Sequence, residues 1–356
     1  MIIPLFVMYG GCPNRCVFCN VQKTAGNCRR NISVEALRKT VQAHLRTAKK
    51  SESVQIAFYG GSFTGMERKY QIELLGMARS FVRLGVVDGI RVSTRPDYLD
   101  EARIALLEEF GVNTVEIGAQ SLVDDVLERS GRGHSADDVA RAVTLLKRRG
   151  FQTGVQLMAG LPGDNAERFA FTVGETISLG PHTVRLHPTI VLPDTPLADA
   201  YIRGEYKPLP LAESIEICKW ALRKFAMARI SVIRIGLQTT AEMEAAGGVI
   251  AGPFHPAFRS LVEESLFLDM ATALLSSGEN GCREAAFFLS PRDVSHLRGQ
   301  KNKNLLLLKT RFGLRDITLC ADPGRERGSL ALAADGGIMR TTSITAPPID
   351  NIPNWL

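Results

Sequence analysis

The stretch PLFVMYGGCPNRCVFCN, residues 4–20, decides how the chain is read. Its apolar start, 4–8, reads as a strand, and Cys12, Cys16 and Cys19 follow immediately. Spacings of four and three place three thiolates on one compact loop, where they can hold three irons of a [4Fe–4S] cube and leave the fourth iron without a protein ligand. A structural zinc ordinarily takes four ligands, and no nearby histidine completes that set. Zinc and three unrelated cysteines remain the alternatives. An open metal position is what a reactive cluster needs.

Outward from this loop, short β-branched or aliphatic runs alternate with longer periodic segments. Candidate strands are 4–8, 54–60, 90–94, 112–118, 151–158 and 183–189; helix-like stretches lie near 33–48, 66–84, 98–109, 135–149, 164–179 and 211–229. In 33–48 the apolar Leu37, Val41 and Leu45 recur at one helical face behind a candidate N-cap, Ser33. Strands each followed by a helix read as βα units of a parallel sheet. Six units favour a partial (βα)6 barrel, with a doubly wound sheet as the competing α/β arrangement. Either fold gathers its chemistry beyond the strand C-termini.

Composition agrees with a globular enzyme-sized chain. It has 356 residues, 45% hydrophobic and 22% charged, which excludes a mainly disordered chain. No apolar run approaches the roughly 20 residues that cross a bilayer, and the N-terminus lacks a basic leader, so a cytoplasmic protein is expected. Lys plus Arg number 43 against 37 Asp plus Glu, a net +6 that suits a polyanionic partner or an ordinary basic enzyme. Seven cysteines are an awkward count for a secreted disulfide scaffold.

The CxxxCxxC loop, with Phe18 before its third cysteine, resembles the signature of the radical SAM superfamily. It is most similar to the radical SAM part of elongator protein 3 and its stand-alone bacterial relatives, and more distantly to oxygen-independent coproporphyrinogen oxidases. The resemblance implies that Cys12, Cys16 and Cys19 bind the cluster. It also implies that the open iron holds S-adenosylmethionine (SAM), which an electron cleaves to methionine and a 5′-deoxyadenosyl radical. A low-potential donor such as a flavodoxin or ferredoxin would supply the electron. In such chemistry the protein contributes placement and electrostatics.

Further matches follow in strand order. Gly60, Gly61 and Ser62, in YGGS, resemble the element whose backbone receives the SAM amino group, and paired glycines permit that approach. Ser93 and Arg95, in RVSTRPD, and Glu116 and Gln120, in VEIGAQS, resemble SAM-pocket positions; a buried ion pair is the plainer reading of Arg95 and Glu116. Arg132, in SGRGHS, resembles an arginine whose planar fork meets the SAM carboxylate, whereas His134 can simply cap or pack the next helix. Gln156 stands where some relatives carry a ribose-contacting acid, and the following GLPGD resembles the strand-five exit loop. Arg185 and His187 alternate onto one strand face and, with Arg234 and Gln238, are candidate substrate-pocket residues; a satisfied core pair is the bland alternative. Cys28 is an auxiliary ligand candidate or an ordinary residue.

The expected divisions are a barrel over 1–240, a mostly helical extension over 241–277, a small α+β domain over 278–347 and a tail over 348–356. The order β-α-loop-α-β-β in the third of these, with GQKN (299–302) between the helices, resembles a KH RNA-binding module. There a GxxG loop brings backbone amides to phosphates. Asn302 replaces the second glycine. Arg298, Gly299, Gln300, Lys301, Asn302 and Lys303 are the candidate RNA contacts, within a segment also holding Arg292, Lys309 and Arg311. A solvated basic face is the competing explanation. With the first strand this early no leader domain is expected, and with no acetyl-CoA signature recognised after the boundary, acetyl-CoA-dependent carboxymethylation is not expected. The cluster motif points to a radical enzyme and the basic C-terminal unit to RNA, so modification of a base in tRNA or rRNA is the leading expectation. A metabolite or tetrapyrrole substrate, or a noncatalytic RNA-binding iron–sulfur redox sensor, are the alternatives.

Overall fold

The computed structural model describes residues 1–7, 12, 16–20, 32–49, 53–277, 282–335 and 339–346. Cys28 lies outside them. Seven parallel strands form one sheet in sequence order: β1 (Ile2–Phe6), β2 (Gln55–Tyr59), β3 (Gly89–Thr94), β4 (Val112–Gln120), β5 (Gln152–Ala159), β6 (Thr183–Pro188) and β7 (Ser231–Ile235). Sequential parallel order is that of a curling partial barrel; a doubly wound sheet would reverse direction at a switch point. The expected partial barrel is present, and β7 adds a seventh strand to the six expected; its segment SVIRI alternates without a strong apolar run and so gives a weak strand signal.

Helices alternate with these strands: α1 (Val34–Leu45), α2 (Arg68–Arg83), α3 (Glu101–Glu109), α4 (Asp124–Arg129), α5 (Ala136–Arg148), α6 (Ala166–Leu179) and α7 (Pro196–Ile202). Ser33 caps α1 by accepting from the Ala36 amide at 3.1 Å, and Leu37 and Val41 are fully buried on its inner face. α5 starts with a reciprocal capping box between Ser135 and Asp138. α6 ends at Gly180 with φ 59°, a left-handed cap that glycine adopts without Cβ strain.

The strands alternate because one face meets helices and the other lines the lumen. Ile90 and Val92, Val115 and Ile117, Val155 and Leu157, and Val184 and Leu186 are buried on the helix side. Their alternating neighbours Arg91, Ser93, Glu116, Gln156 and Arg185 share the opposite face. An all-parallel sheet ordinarily reads as a continuous apolar run, so this polar alternation marks a lumen that holds hydrogen-bonding groups.

The chain separates into two compact units, one of residues 1–210 with 230–254 and one of 211–229 with residues from 255 onward. The helix α8 (Leu211–Met227), which follows α7 in sequence, thus belongs to the second unit. A short α9 (Ala241–Glu244) stays with the first. In the second unit α10 (Phe258–Ser276) packs with α8, α11 (Val294–Arg298), α12 (Lys303–Phe312), β10 (Ser329–Ala334) and β11 (Arg340–Ser343), and β8 (Glu284–Leu289) and β9 (Asp316–Ala321) complete the unit's strands. Its sheet runs β11-β10-β8-β9, with β8 parallel to β9 and the other pairs antiparallel. The β-α-loop-α-β-β order expected from the sequence is present, extended by β11.

Candidate active site

The cysteine loop is tied down at both ends of its described part. The Val17 amide donates to the Ser130 carbonyl at 3.1 Å, the Leu197 amide to the Val17 carbonyl at 2.9 Å, and Asn20 Nδ2 to the Pro193 carbonyl at 2.8 Å. Phe18 packs against two apolar clusters, one including Met158 and Leu161, the other including Val191 and Leu197. The aromatic before the third cysteine therefore anchors the loop to the C-terminal end of the sheet.

The three thiols share one electrostatic neighbourhood. Burial first, then Cys16 and Cys12, push the Cys19 thiol up to about 12, although the residue still presents surface to solvent. Burial and Cys16 likewise raise Cys12, against the opposing pull of Arg95. Without metal the Cys12 and Cys19 thiols stay protonated; metal ligation requires and drives deprotonation of a thiol. Three thiolates around one zinc at about 2.3 Å each would lie within about 4 Å of one another. Among the described residues no group of three His, Cys, Asp or Glu side chains is already drawn together to hold a metal ion. Three cysteine thiols are a donor set that suits an iron–sulfur cluster.

Arg132 joins this loop to the sheet. Its Nη1 donates to Cys16 Sγ at 3.1 Å, Nη2 to the Gly118 carbonyl, and Nε to His134 Nε2 at 3.2 Å. Gly118 leaves the room: a Cβ there would lie 3.6 Å from Arg132 Nη2 and 3.1 Å from Gln120 Nε2. Burial and the adjacent Arg132 push His134 down to about 4, so its imidazole is neutral and able to accept from the guanidinium. Arg95 is occupied differently. Its Nε and Nη2 both reach Asp97 at 2.9 Å, and Nη2 also donates to the Arg132 carbonyl at 2.5 Å. Arg95 therefore holds the Arg132 loop from beneath, close to its plainer ion-pair reading.

Gly60 has φ 95°, a conformation that favours glycine, and an added Cβ would meet Phe6 at 3.4 Å. Gly61 follows, and Ser62 is fully buried, its Oγ accepting from the Arg95 amide at 3.2 Å and bonding Thr94 Oγ1 at 2.9 Å. The Ser62 backbone also contacts the Cys12 thiol. The glycine pair and the cysteine loop thus meet at the ends of β1 and β2.

Inside the lumen, Glu116 is 4% exposed and shared by two arginines, Arg91 and, at 3.0 Å, Arg185. Arg185 also donates to Tyr59 Oη at 2.7 Å, Arg91 reaches Gln55 Oε1 at 2.9 Å, and Ser93 Oγ lies 3.5 Å from Glu116. Glu116 is thereby a buried anchor for two half-buried cations. Gln156 Nε2 donates to Gln120 Oε1 at 3.2 Å, and Gln120 sits at φ 72° where β4 changes register. His187 is 5% exposed, while Arg234 donates to Gln238 at 3.3 Å. Sequence reasoning missed Arg91 and Tyr59. The two-residue alternation from Ser93 points to Arg91, and Tyr59 directly precedes the glycine pair.

The strand-five exit holds a further group. Asp164 accepts from the Gly160 and Asn165 amides, each at 3.0 Å, and burial raises its carboxyl to about 7. Tyr206 donates to the Gly160 carbonyl at 2.6 Å.

In the second unit, Gly299, Lys301 and Asn302 have φ of 69°, 52° and 64°. Asn302 thus adopts a left-handed conformation that asparagine tolerates better than most residues, which accounts for its place in a glycine position. The Gln300 amide is already engaged: it donates to Glu264 Oε2 at 3.1 Å. Asn304 Nδ2 fixes the same loop to the Glu264 carbonyl at 2.9 Å.

With this geometry in place, comparison with known proteins is informative. Residues 6–174 match the Radical SAM superfamily and residues 181–267 the Radical SAM C-terminal domain. The chain is 35% identical over 133 residues to the tRNA uridine(34) acetyltransferase of Methanocaldococcus jannaschii, covering 36% of this chain and 25% of that protein. A tRNA uridine(34) acetyltransferase of Dehalococcoides mccartyi is 28% identical, over 56% of this chain and 50% of its own. Protein YhcC of Escherichia coli is 28% identical, over 58% and 69% respectively. The chain thus spans a quarter to a half of the acetyltransferases it matches. The structure of archaeal Methanocaldococcus infernus Elp3 with an N-terminal deletion covers 93% of this chain and 72% of its own at 20% identity, with a TM-score of 0.57, a likeness of fold.

Proposed function

Because the chain belongs to the radical SAM superfamily, we propose that it is a SAM-cleaving enzyme that modifies a base of tRNA. Superfamily members bind a [4Fe–4S] cluster and SAM, and when bound these supply reductive sulfonium cleavage to a 5′-deoxyadenosyl radical. The observation that carries the reading is the meeting of Cys16 with Arg132 beyond the strand C-termini, beside the Gly60-Gly61-Ser62 turn. Cys12, Cys16 and Cys19 would hold three irons. The Gly60–Gly61 main chain accepts the close approach of an amino group, and the Arg132 fork matches a carboxylate. Gln120 and Gln156 offer uncharged hydrogen bonds for a ribose. Glu116, Arg91 and Arg185 keep the lumen floor rigid and polar. No described helix is long and apolar enough to cross a membrane.

The tRNA part of the proposal is supported by the tRNA-modifying relatives and by the basic loop at 298–303. The positive-φ turn at GQKN supports reading the second unit as a degenerate KH-like module that carries RNA. A low-potential flavodoxin or ferredoxin would complete the system. The test is anaerobic reconstitution with iron and sulfide, then SAM and reductant, with 5′-deoxyadenosine quantified with and without total tRNA. We expect tRNA to stimulate product, and any one of Cys12→Ala, Cys16→Ala or Cys19→Ala to abolish it while the fold persists. Full turnover by these variants would overturn the cluster assignment. Product indifferent to tRNA would overturn the substrate.

A further inference from the structure

The lumen wall on β5, β6 and β7 carries hydrogen-bonding capacity that the described residues leave unused. Gln156 pairs with Arg185 and Met158 with His187 across β5 and β6, while Arg185 pairs with Arg234 across β6 and β7. Arg185 and His187, two residues apart, share the lumen face, with His187 nearer the strand C-termini. The tip of Arg185 is fixed by Tyr59 Oη at 2.7 Å and Glu116 at 3.0 Å, with the guanidinium 4.9 Å from the Tyr59 ring centroid. Among the described residues its buried Nε has no hydrogen-bond partner, and neither has either ring nitrogen of His187.

Buried polar groups are almost always paired, so three orphaned nitrogens on successive lumen-facing positions call for a ligand. Burial, then Arg185 and Arg234, push His187 down to about 3, leaving a neutral ring with one N–H to give. The ring is therefore a donor beside two cations, and the carboxylate that Arg185 meets, Glu116 on β4, is already shared between Arg91 and Arg185. A group that accepts from both Arg185 Nε and His187, and that brings negative charge, matches this wall.

We propose that Arg185 and His187 form a substrate subsite for an anionic oxygen group, a carboxylate or phosphate, and so select which nucleotide is presented for reaction. The inference rests on the radical SAM reading of the lumen and narrows its substrate. A carboxylate would be a substituent already attached to the base, whereas a phosphate would belong to the nucleotide itself.

The experiment uses the full reconstituted chain and the variants His187→Phe, His187→Asn and Arg185→Lys. The first removes the hydrogen bonds. The second keeps a donor and an acceptor, and the third keeps the charge facing Glu116 but removes Nε–H. We expect His187→Phe and Arg185→Lys to raise KM for tRNA at least about tenfold, with the SAM dissociation constant unchanged and His187→Asn near wild type. Acetate and inorganic phosphate should compete with tRNA in the wild type and lose that competition in His187→Phe. Stronger competition by acetate identifies the carboxylate source, and stronger competition by phosphate the nucleotide. Unchanged KM and unchanged competition in folded variants would overturn the subsite. So would a parallel loss of SAM affinity, which would assign these groups to the cofactor. Should tRNA fail to stimulate the wild type, the tRNA reading falls separately. Calorimetric titration with acetate and phosphate then decides the subsite: one anion site lost in His187→Phe supports it, and identical binding in both proteins overturns it.

Discussion

Asp164 shows how one side chain can set a pH response without touching the reaction. It accepts two backbone amides at the exit of β5, yet burial outweighs those bonds and raises its carboxyl from 3.8 to about 7. A raised carboxyl contributes stability that is fully present below its unfolded value and lost as pH rises through its folded value. Between about pH 4 and 7 the wild type should therefore lose stability relative to Asp164→Asn, by on the order of 4 kcal/mol at most. Urea unfolding of both proteins at half-unit pH steps reads the difference. Parallel curves would show that the carboxyl ionises freely in the fold. Arg132 makes the contrasting case, since its role depends on fork geometry: it spans Cys16, His134 and the Gly118 carbonyl at once. Arg132→Lys keeps the charge but not that span, and should weaken SAM binding about tenfold with iron content unchanged; equal SAM affinity by equilibrium dialysis would remove the arginine from the SAM site.

The turn between α11 and α12 is an element whose sequence and geometry pull in different directions. Its basic side chains favour a polyanion, and its positive-φ backbone presents amides. Yet the Gln300 amide is already taken by the Glu264 carboxylate from α10, an anion supplied by the protein itself. Glu264→Gln removes that charge and should strengthen tRNA binding about three- to tenfold, with a steeper salt dependence as one more phosphate is accepted. Filter binding at two salt concentrations measures both. Unchanged affinity in a variant of a tRNA-binding wild type would mean that phosphates approach elsewhere.

At the scale of the molecule, the second unit is not a terminal appendix. It takes α8 from the middle of the sequence and α10 from before the expected boundary. Within it α10 buries Val262, Leu266, Phe267, Met270 and Leu274, and packs on β10 and α12. Cutting the chain after residue 277 strips those side chains of partners, at about 2–5 kcal/mol for each large apolar residue left over a void. A 1–277 fragment should thus bind the dye ANS and melt without cooperativity; a sharp transition like that of the full chain would show that α8 and α10 stand without the second sheet. Charge reversal at Lys301 and Lys303 is consequently the cleaner probe of RNA binding.

The sequence by itself determined the βα alternation, the cysteine loop and its partners at the strand ends, because periodicity, glycine punctuation and ligand spacing are local properties. Ser33 as a helix cap and Gly60 as a turn residue belong to the same class. Only the tertiary structure decided how many strands the sheet has, that Glu116 answers Arg91 and Arg185, that Arg95 is spent on Asp97, and that Glu264 fills the Gln300 amide. Each of these depends on which lumen or loop position faces which partner across tens of residues of chain. Pairing of buried charges is fixed by sheet register and helix packing, and no local spacing encodes it.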